Sequence, residues 1–292
     1  MWESVLSALR AAIPAGTPLL LAALGEVYAE RSGVLNLGVE GMMIVGAVTG
    51  FGVAHATANV WLGLAAAALA GGAVAMSHAF FSVTLRVNQV VSGIGHTMLG
   101  LGLSGLIGQR YIGLPLGARM PPLFGYDPVV YFAAAMMPAL WLVLYRTRWG
   151  LTLRSVGENP AAADALGVNV IRVRYLAVGF GGLMAGLGGA YLSIVYAPAW
   201  IEGMTAGAGW IVIALTSFAM WDPRRAMAGA YLFGGVRVLQ YRLQPLGVSP
   251  NLLNMLPFLM TIVVLMFSAR EALRKRIGAP AALMIPFVRE ER

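Results

Sequence analysis

Between Gly41 and Leu85 the chain runs for 45 residues without one Asp, Glu, Lys or Arg. No soluble fold tolerates such a run, because every surface element needs charge to meet water. It is also too long for one membrane span, which takes about 20 apolar residues. The polar break His55–Asn59 divides it, giving spans near 33–55 and 60–85. The rest of the chain repeats the pattern. Hydrophobic residues make up 59% and charged residues 11%, against roughly 25% charged in a soluble domain. Further apolar runs lie at 11–25, 87–109, 128–145, 175–201, 203–221, 226–243 and 243–269. The first is short, and the run 226–243 is interrupted by Arg237 and Arg242. The reading is an all-α, polytopic membrane helical bundle of about nine spans, within eight to ten, forming a single transmembrane domain over 1–292. The 37 glycines suit closely packed membrane helices.

The net charge is +8. Its arginines sit between apolar runs rather than in one patch, so they point to topology and not to nucleic acid. The loop 147–174 is bounded and filled by Arg146, Arg148, Arg154, Arg172 and Arg174, and the tail 270–292 holds Arg270, Arg274, Lys275 and Arg276. Both are expected in the cytoplasm, where Arg86 and the pair Arg224–Arg225 also fall. Arg110 and Arg119 fall outside. Counting back places the N-terminus outside and the C-terminus inside. The first run with Val27-Tyr28-Ala29 has the outline of a cleaved signal peptide, but the polar cluster that follows reads as part of the working protein. The absence of cysteine excludes disulfides and thiolate metal sites.

Two polar segments interrupt the apolar background. In Glu26-Val-Tyr-Ala-Glu30-Arg31-Ser-Gly33-Val-Leu-Asn36-Leu-Gly38-Val-Glu40-Gly41, four ionisable groups and an Asn lie between two spans. This is either a solvated turn or a broken-helix region lining a pathway. Glu40, at the head of a long apolar run, favours the second and requires a partner or water; Arg31 is the expected partner. In the second segment, Asn159 is a helix N-cap, Pro160 suits the first helical position, and Gly167 stops a short helix Ala161–Leu166. That helix is either an ordinary loop helix or a knob for a cytosolic partner.

These segments resemble the permease family of bacterial ABC importers for ribose, other simple sugars, nucleosides and branched-chain amino acids. The run Arg154-Ser-Val-Gly157-Glu158-Asn159-Pro-Ala-Ala-Ala-Asp-Ala-Leu-Gly167-Val is similar to the family's cytoplasmic coupling segment. The run Glu30-Arg-Ser-Gly-Val-Leu-Asn-Leu-Gly-Val-Glu-Gly41 resembles the nucleoside branch, especially its shorter permease. The Gly-Gly-Ile-Asp-Leu-Ser-like stretch of sugar permeases is absent there, and their extra N-terminal span is not expected in this chain, which agrees with the N-terminus-outside count. Gly207-Ala-Gly209-Trp210-Ile, then Trp221-Asp222-Pro223 and Gly229-Ala230, is a third match. The resemblance covers about 10–270. It implies that Gly157, Glu158, Asn159, Ala161, Ala162, Asp164 and Gly167 dock on a cytosolic ABC ATPase. It further implies a second permease, with a heterodimer favoured, and a periplasmic or lipoprotein substrate-binding protein. The site would be the bacterial inner membrane.

On this resemblance the chain does no chemistry and holds no cofactor; ATP would bind partner subunits. The sequence has no Gly-x-x-x-x-Gly-Lys-Ser/Thr loop, and its one lysine is Lys275. For a nucleoside the expected pathway residues are Asn36, Glu40, Asn88, Gln89, Ser92, His96 and Trp210. Asn88, Ser92 and His96 recur at fourfold spacing, which puts them on one helix face; His96 is equally well a hydrogen-bonded structural histidine. His55 and His78 read as structural or interfacial. The pairs Gly46/Gly50 and Gly182/Gly186 read as packing contacts. Two rivals stay open: an ion-coupled secondary transporter using Glu26, Glu30 or Glu40, which leaves the coupling-like helix unexplained, and a membrane enzyme, for which no metal spacing or nucleophile turn is present.

Overall fold

The computed structural model describes residues 2–249, 252–253, 255–263, 266 and 279–288. They form a helical bundle, with only isolated β-bridges among the described residues. The helices are α1 (Trp2–Arg31), α2 (Val39–Thr57), α3 (Val60–Ala79), α4 (Gln89–Gly108), α5 (Pro128–Arg146), α6 (Arg148–Glu158), α7 (Pro160–Ala165), α8 (Val170–Ala190), α9 (Ala208–Phe218) and α10 (Pro223–Leu243). Wider π turns extend α3 to Thr84 and α8 to Tyr196. Six helices (α1 to α5 and α8, with those extensions) are long and apolar enough to cross a membrane.

Several expected boundaries move. The first span, read as short, is a 30-residue helix; Glu3 and Arg10 sit in its exposed start and do not end it. Pro14 within it has no N–H for the Arg10 carbonyl, and the Tyr126 hydroxyl donates to that oxygen instead at 3.4 Å. The span read from residue 33 begins only at Val39, because 32–38 is irregular. The run 203–221 shrinks to the 11 residues of α9. The run 226–243 falls within the helix α10, whose arginines make it less apolar than the six spans. The run 243–269 and Arg270, Arg274, Lys275 and Arg276 lie partly or wholly outside the described residues.

The core is the sandwich of α1, α2, α3 and α8, and glycines set its spacing. A Cβ on Gly46 would sit 2.5 Å from the Gly186 Cα, and one on Gly71 would sit 2.5 Å from the Gly182 carbonyl oxygen. Backbones this close gain dispersion contacts that lipid cannot supply. Gly46, Gly182 and Gly186 are thus packing positions. Exposed Leu and Met side chains concentrate on α4, as at Met98 and Leu106, where hydrocarbon is the natural solvent.

One end of the bundle collects the arginines. The end of α1 meets the end of α6, since a Cβ on Gly157 would collide with the Arg31 carbonyl. Arg174 of α8 donates from Nε to the Ser32 carbonyl at 3.2 Å. The guanidinium groups of Arg146 and Arg224 both lie over the Trp141 ring. Arg86, at the α3–α4 turn, faces the loop after α7 across a shared cavity.

Candidate functional site

The site begins with a break in the backbone. Gly33 adopts φ +89°, a left-handed conformation open to glycine, and the chain then folds back into the bundle as 34–38. Irregular backbone at that depth needs side-chain partners, and they come from α3 and α4. The Leu35 N–H donates to Gln89 Oε1 at 2.7 Å, and the Leu35 carbonyl takes a hydrogen bond from His78 Nε2 at 3.1 Å. The Thr97 hydroxyl donates to the Leu37 carbonyl at 2.9 Å. Asn36 is fully buried, accepts from the Gly38 N–H at 3.1 Å and donates to Glu26 Oε2 at 3.2 Å.

The polar face of α4 is therefore turned toward the break. Ser92 shares a hydrogen bond with His78 Nδ1 at 2.9 Å, and His96 shares one with the Ser77 hydroxyl at 2.7 Å. The structure brings Ser92 and His96 together. Asn88 does not join them: it is the exposed N-cap of α4, accepting from the Val90 and Val91 N–H groups. His78, placed by sequence as structural or interfacial, sits at the centre of this network with no exposed surface.

The expected pairing of Glu40 with Arg31 is not what forms. The Glu40 carboxylate accepts the Thr205 hydroxyl at 2.6 Å, the Gly207 N–H at 3.0 Å and the Gly209 N–H at 2.6 Å. It caps the start of α9, where unpaired N–H groups and the helix dipole favour an anion. Gly209 is needed because a Cβ there would fall 2.5 Å from the Glu40 Cα. Arg31 points the other way, to the Met220 and Trp221 carbonyls at 3.2 and 3.3 Å. Those two residues hold positive φ, which aims their oxygens at the guanidinium. The Trp221 indole N–H donates to Glu30 Oε2. Thus α9 is a half-helix running from Glu40, inside the bundle, to Arg31, at its arginine-rich end. Trp210 stands on it, 40% exposed.

The second site is α6–α7. Asn159 Oδ1 accepts the Ala162 N–H at 2.9 Å, Pro160 opens α7, and Gly167 closes it at φ +85°. Glu158, Asn159, Ala161, Ala162 and Gly167 are exposed, and Asp164 is half-buried. Gly157 is buried against α1 of its own chain. Leu166, at the end of α7, is 86% exposed; the sequence gives no sign of this, because a lone Leu in an alanine run carries no periodic signal. Among the described residues no His, Asp or Glu group is arranged to hold a metal ion.

The profile of a family described as "Branched-chain amino acid transport system / permease component" matches residues 11–265. A candidate glucose ABC transporter permease of Haloferax volcanii is 40% identical, with 97% of each chain covered. A guanosine ABC transporter permease of Bacillus subtilis is 35% identical over 94% of each. A nucleoside ABC transporter permease of Lactococcus lactis is 33% identical over 85% of this chain and 88% of its own.

Proposed function

The chain belongs to the permease family of ABC importers, and on that premise we propose that it is the membrane subunit through which nucleosides enter the cell. The observation that carries the coupling half of this reading is α7, a capped helix of small residues with its outer face exposed beside Leu166. Small side chains let a partner surface approach closely. An ATPase seated on α7 would push on Gly157, and through its contact with the Arg31 carbonyl on α1. From α1 the path continues through Arg31 and Glu30 to the base of α9, and through α9 to Glu40. Residues 147–174 are then the coupling loop.

In the pathway Trp210 is the aromatic surface for a base, and Asn88 stands at the arginine-rich mouth. Asn36, Glu40, Ser92 and His96 support the wall, since their polar atoms are engaged with neighbouring groups. The topology that fits is nine spans, with the N-terminus outside and the arginine-rich end in the cytoplasm. A second, unlike permease, a cytosolic ATPase and a substrate-binding protein complete the importer. This chain hydrolyses nothing itself and needs no cofactor.

The cargo reading rests on the Glu30–Gly41 run and on two relatives whose names specify guanosine or nucleoside. A simple sugar is the second reading, favoured by the Haloferax relative. Vesicles carrying the assembled transporter decide between them. ATP-driven uptake of labelled guanosine well above that of glucose is expected; the reverse ranking overturns the nucleoside assignment. Uptake that needs an ion gradient and no ATPase overturns the importer mechanism.

A further inference from the structure

The segment 279–288 lies along α7 and is anchored at both ends. At one end the Ala282 N–H donates to the Gly157 carbonyl at 2.8 Å, just before α7. At the other, Phe287 shares a cavity of about 270 Å³ with Asp164, Gly167 and Arg86, just after it. Between them Arg174, whose Nε holds the Ser32 carbonyl, donates from Nη1 to the Ile285 carbonyl at 3.2 Å. Ala282 is buried, and Leu283 and Phe287 pack on the core.

Between the anchors the segment leaves Met284 and Ile285 49% and 54% exposed, and Leu166 at the end of α7 is barer still at 86%. Exposed leucines on α4 have lipid to cover them. These three sit instead at the end of the bundle that carries the exposed Arg86, Arg148 and Arg172, charges that belong in water rather than in hydrocarbon. Large apolar side chains left in water on neighbouring segments mark a protein contact. Met284 also holds φ +68°, a left-handed conformation that non-glycine residues rarely adopt. The Ile285 N–H bond to the Ala282 carbonyl at 3.1 Å and the two anchors keep it there.

We propose that residues 279–288 are a second docking element for the importer's ATPase, with Met284 and Ile285 adding apolar contacts to those of Leu166 at the arginine-rich end of the bundle. The inference rests on reading α7 as the coupling helix. It specifies the partner's surface: an apolar groove edged by carboxylates, continuous with the groove that takes α7.

Co-purification of the ATPase with the full-length permease provides the test. Met284→Glu with Ile285→Glu is expected to weaken retention about ten-fold or more, a loss of about 1.4 kcal/mol, with insertion and yield of the permease unchanged. Leu166→Glu is expected to do the same. If Leu166→Glu releases the ATPase and the double variant retains it at the parental level, the segment is not a docking element and the coupling helix stands. If neither variant releases it, the reading of α7 falls too. Should the double variant fold poorly, Met284→Cys supplies a unique thiol in a cysteine-free chain. Its maleimide labelling is expected to drop when the ATPase is bound and to return when the ATPase is stripped; labelling that ignores the ATPase overturns the proposal.

Discussion

Glu40 shows how a buried carboxylate is kept without a cation. Three donors converge on its two oxygens, two of them backbone N–H groups at the start of α9. Hydrogen bonds to a charged group each contribute about 1.5–3 kcal/mol, and removing the acceptor leaves buried donors unsatisfied. Glu40→Ala is therefore expected to destabilise the protein by on the order of 3–5 kcal/mol. Glu40→Gln, which keeps an acceptor and gives up the charge, is expected to lose less. Unfolding midpoints in detergent measure both; an alanine variant that melts with the parent would show that the cap contributes little. Gly209→Ala drives a methyl group into the Glu40 backbone. Overpacking of that kind costs about 1–3 kcal/mol, and the same melting measurement should place this variant below the parent.

At the scale of elements, α7 separates two roles that the sequence had merged. Ala162 is exposed and Gly157 is buried against Arg31. Ala162→Trp is expected to leave expression and melting temperature at parental levels while uptake falls about ten-fold or more. Gly157→Leu is expected to lower melting temperature and uptake together. Equal melting losses in both variants would mean that α7 is packed rather than presented. The helix itself was legible: Asn159, Pro160 and Gly167 are local signals, and capping chemistry acts over a few residues. The long apolar helices were legible for the same reason, because lack of charge is a local property. Glu40's partners were not, since they lie 165 to 169 positions along the chain and no periodicity encodes a contact at that separation. The break at 32–38 was visible as glycine and polarity, but the side chains that satisfy it come from α3 and α4. His78 and Thr97 look incidental until the bare backbone they serve is known, and Gln89, expected on the pathway, accepts from the Leu35 N–H. The docking of 279–288 left no sequence signal, because its anchors are mostly backbone carbonyls and one arginine among many.

For the whole molecule, the proposed orientation puts the arginine-rich end in the cytoplasm. With the N-terminus outside, Glu3→Cys should react with a membrane-impermeant maleimide in intact cells. Leu166→Cys should react only after the membrane is opened. Labelling of Leu166→Cys from outside would invert the topology and remove α7 from the cytoplasm. The half-helix α9 has a consequence for how such a protein is made. Its 11 residues span about 16 Å, half of the roughly 30 Å hydrocarbon layer. It cannot partition into the bilayer alone as a finished span; it must be received by a bundle already standing there. Its receiving group, Glu40, leaves the ribosome 165 residues before Thr205. At about 5–20 residues per second, Glu40 waits about 10–30 seconds for its partners. During that interval the nascent chain holds an uncapped acid in its second helix, and the order of synthesis requires α1 to α4 to shelter it from lipid until the last third arrives.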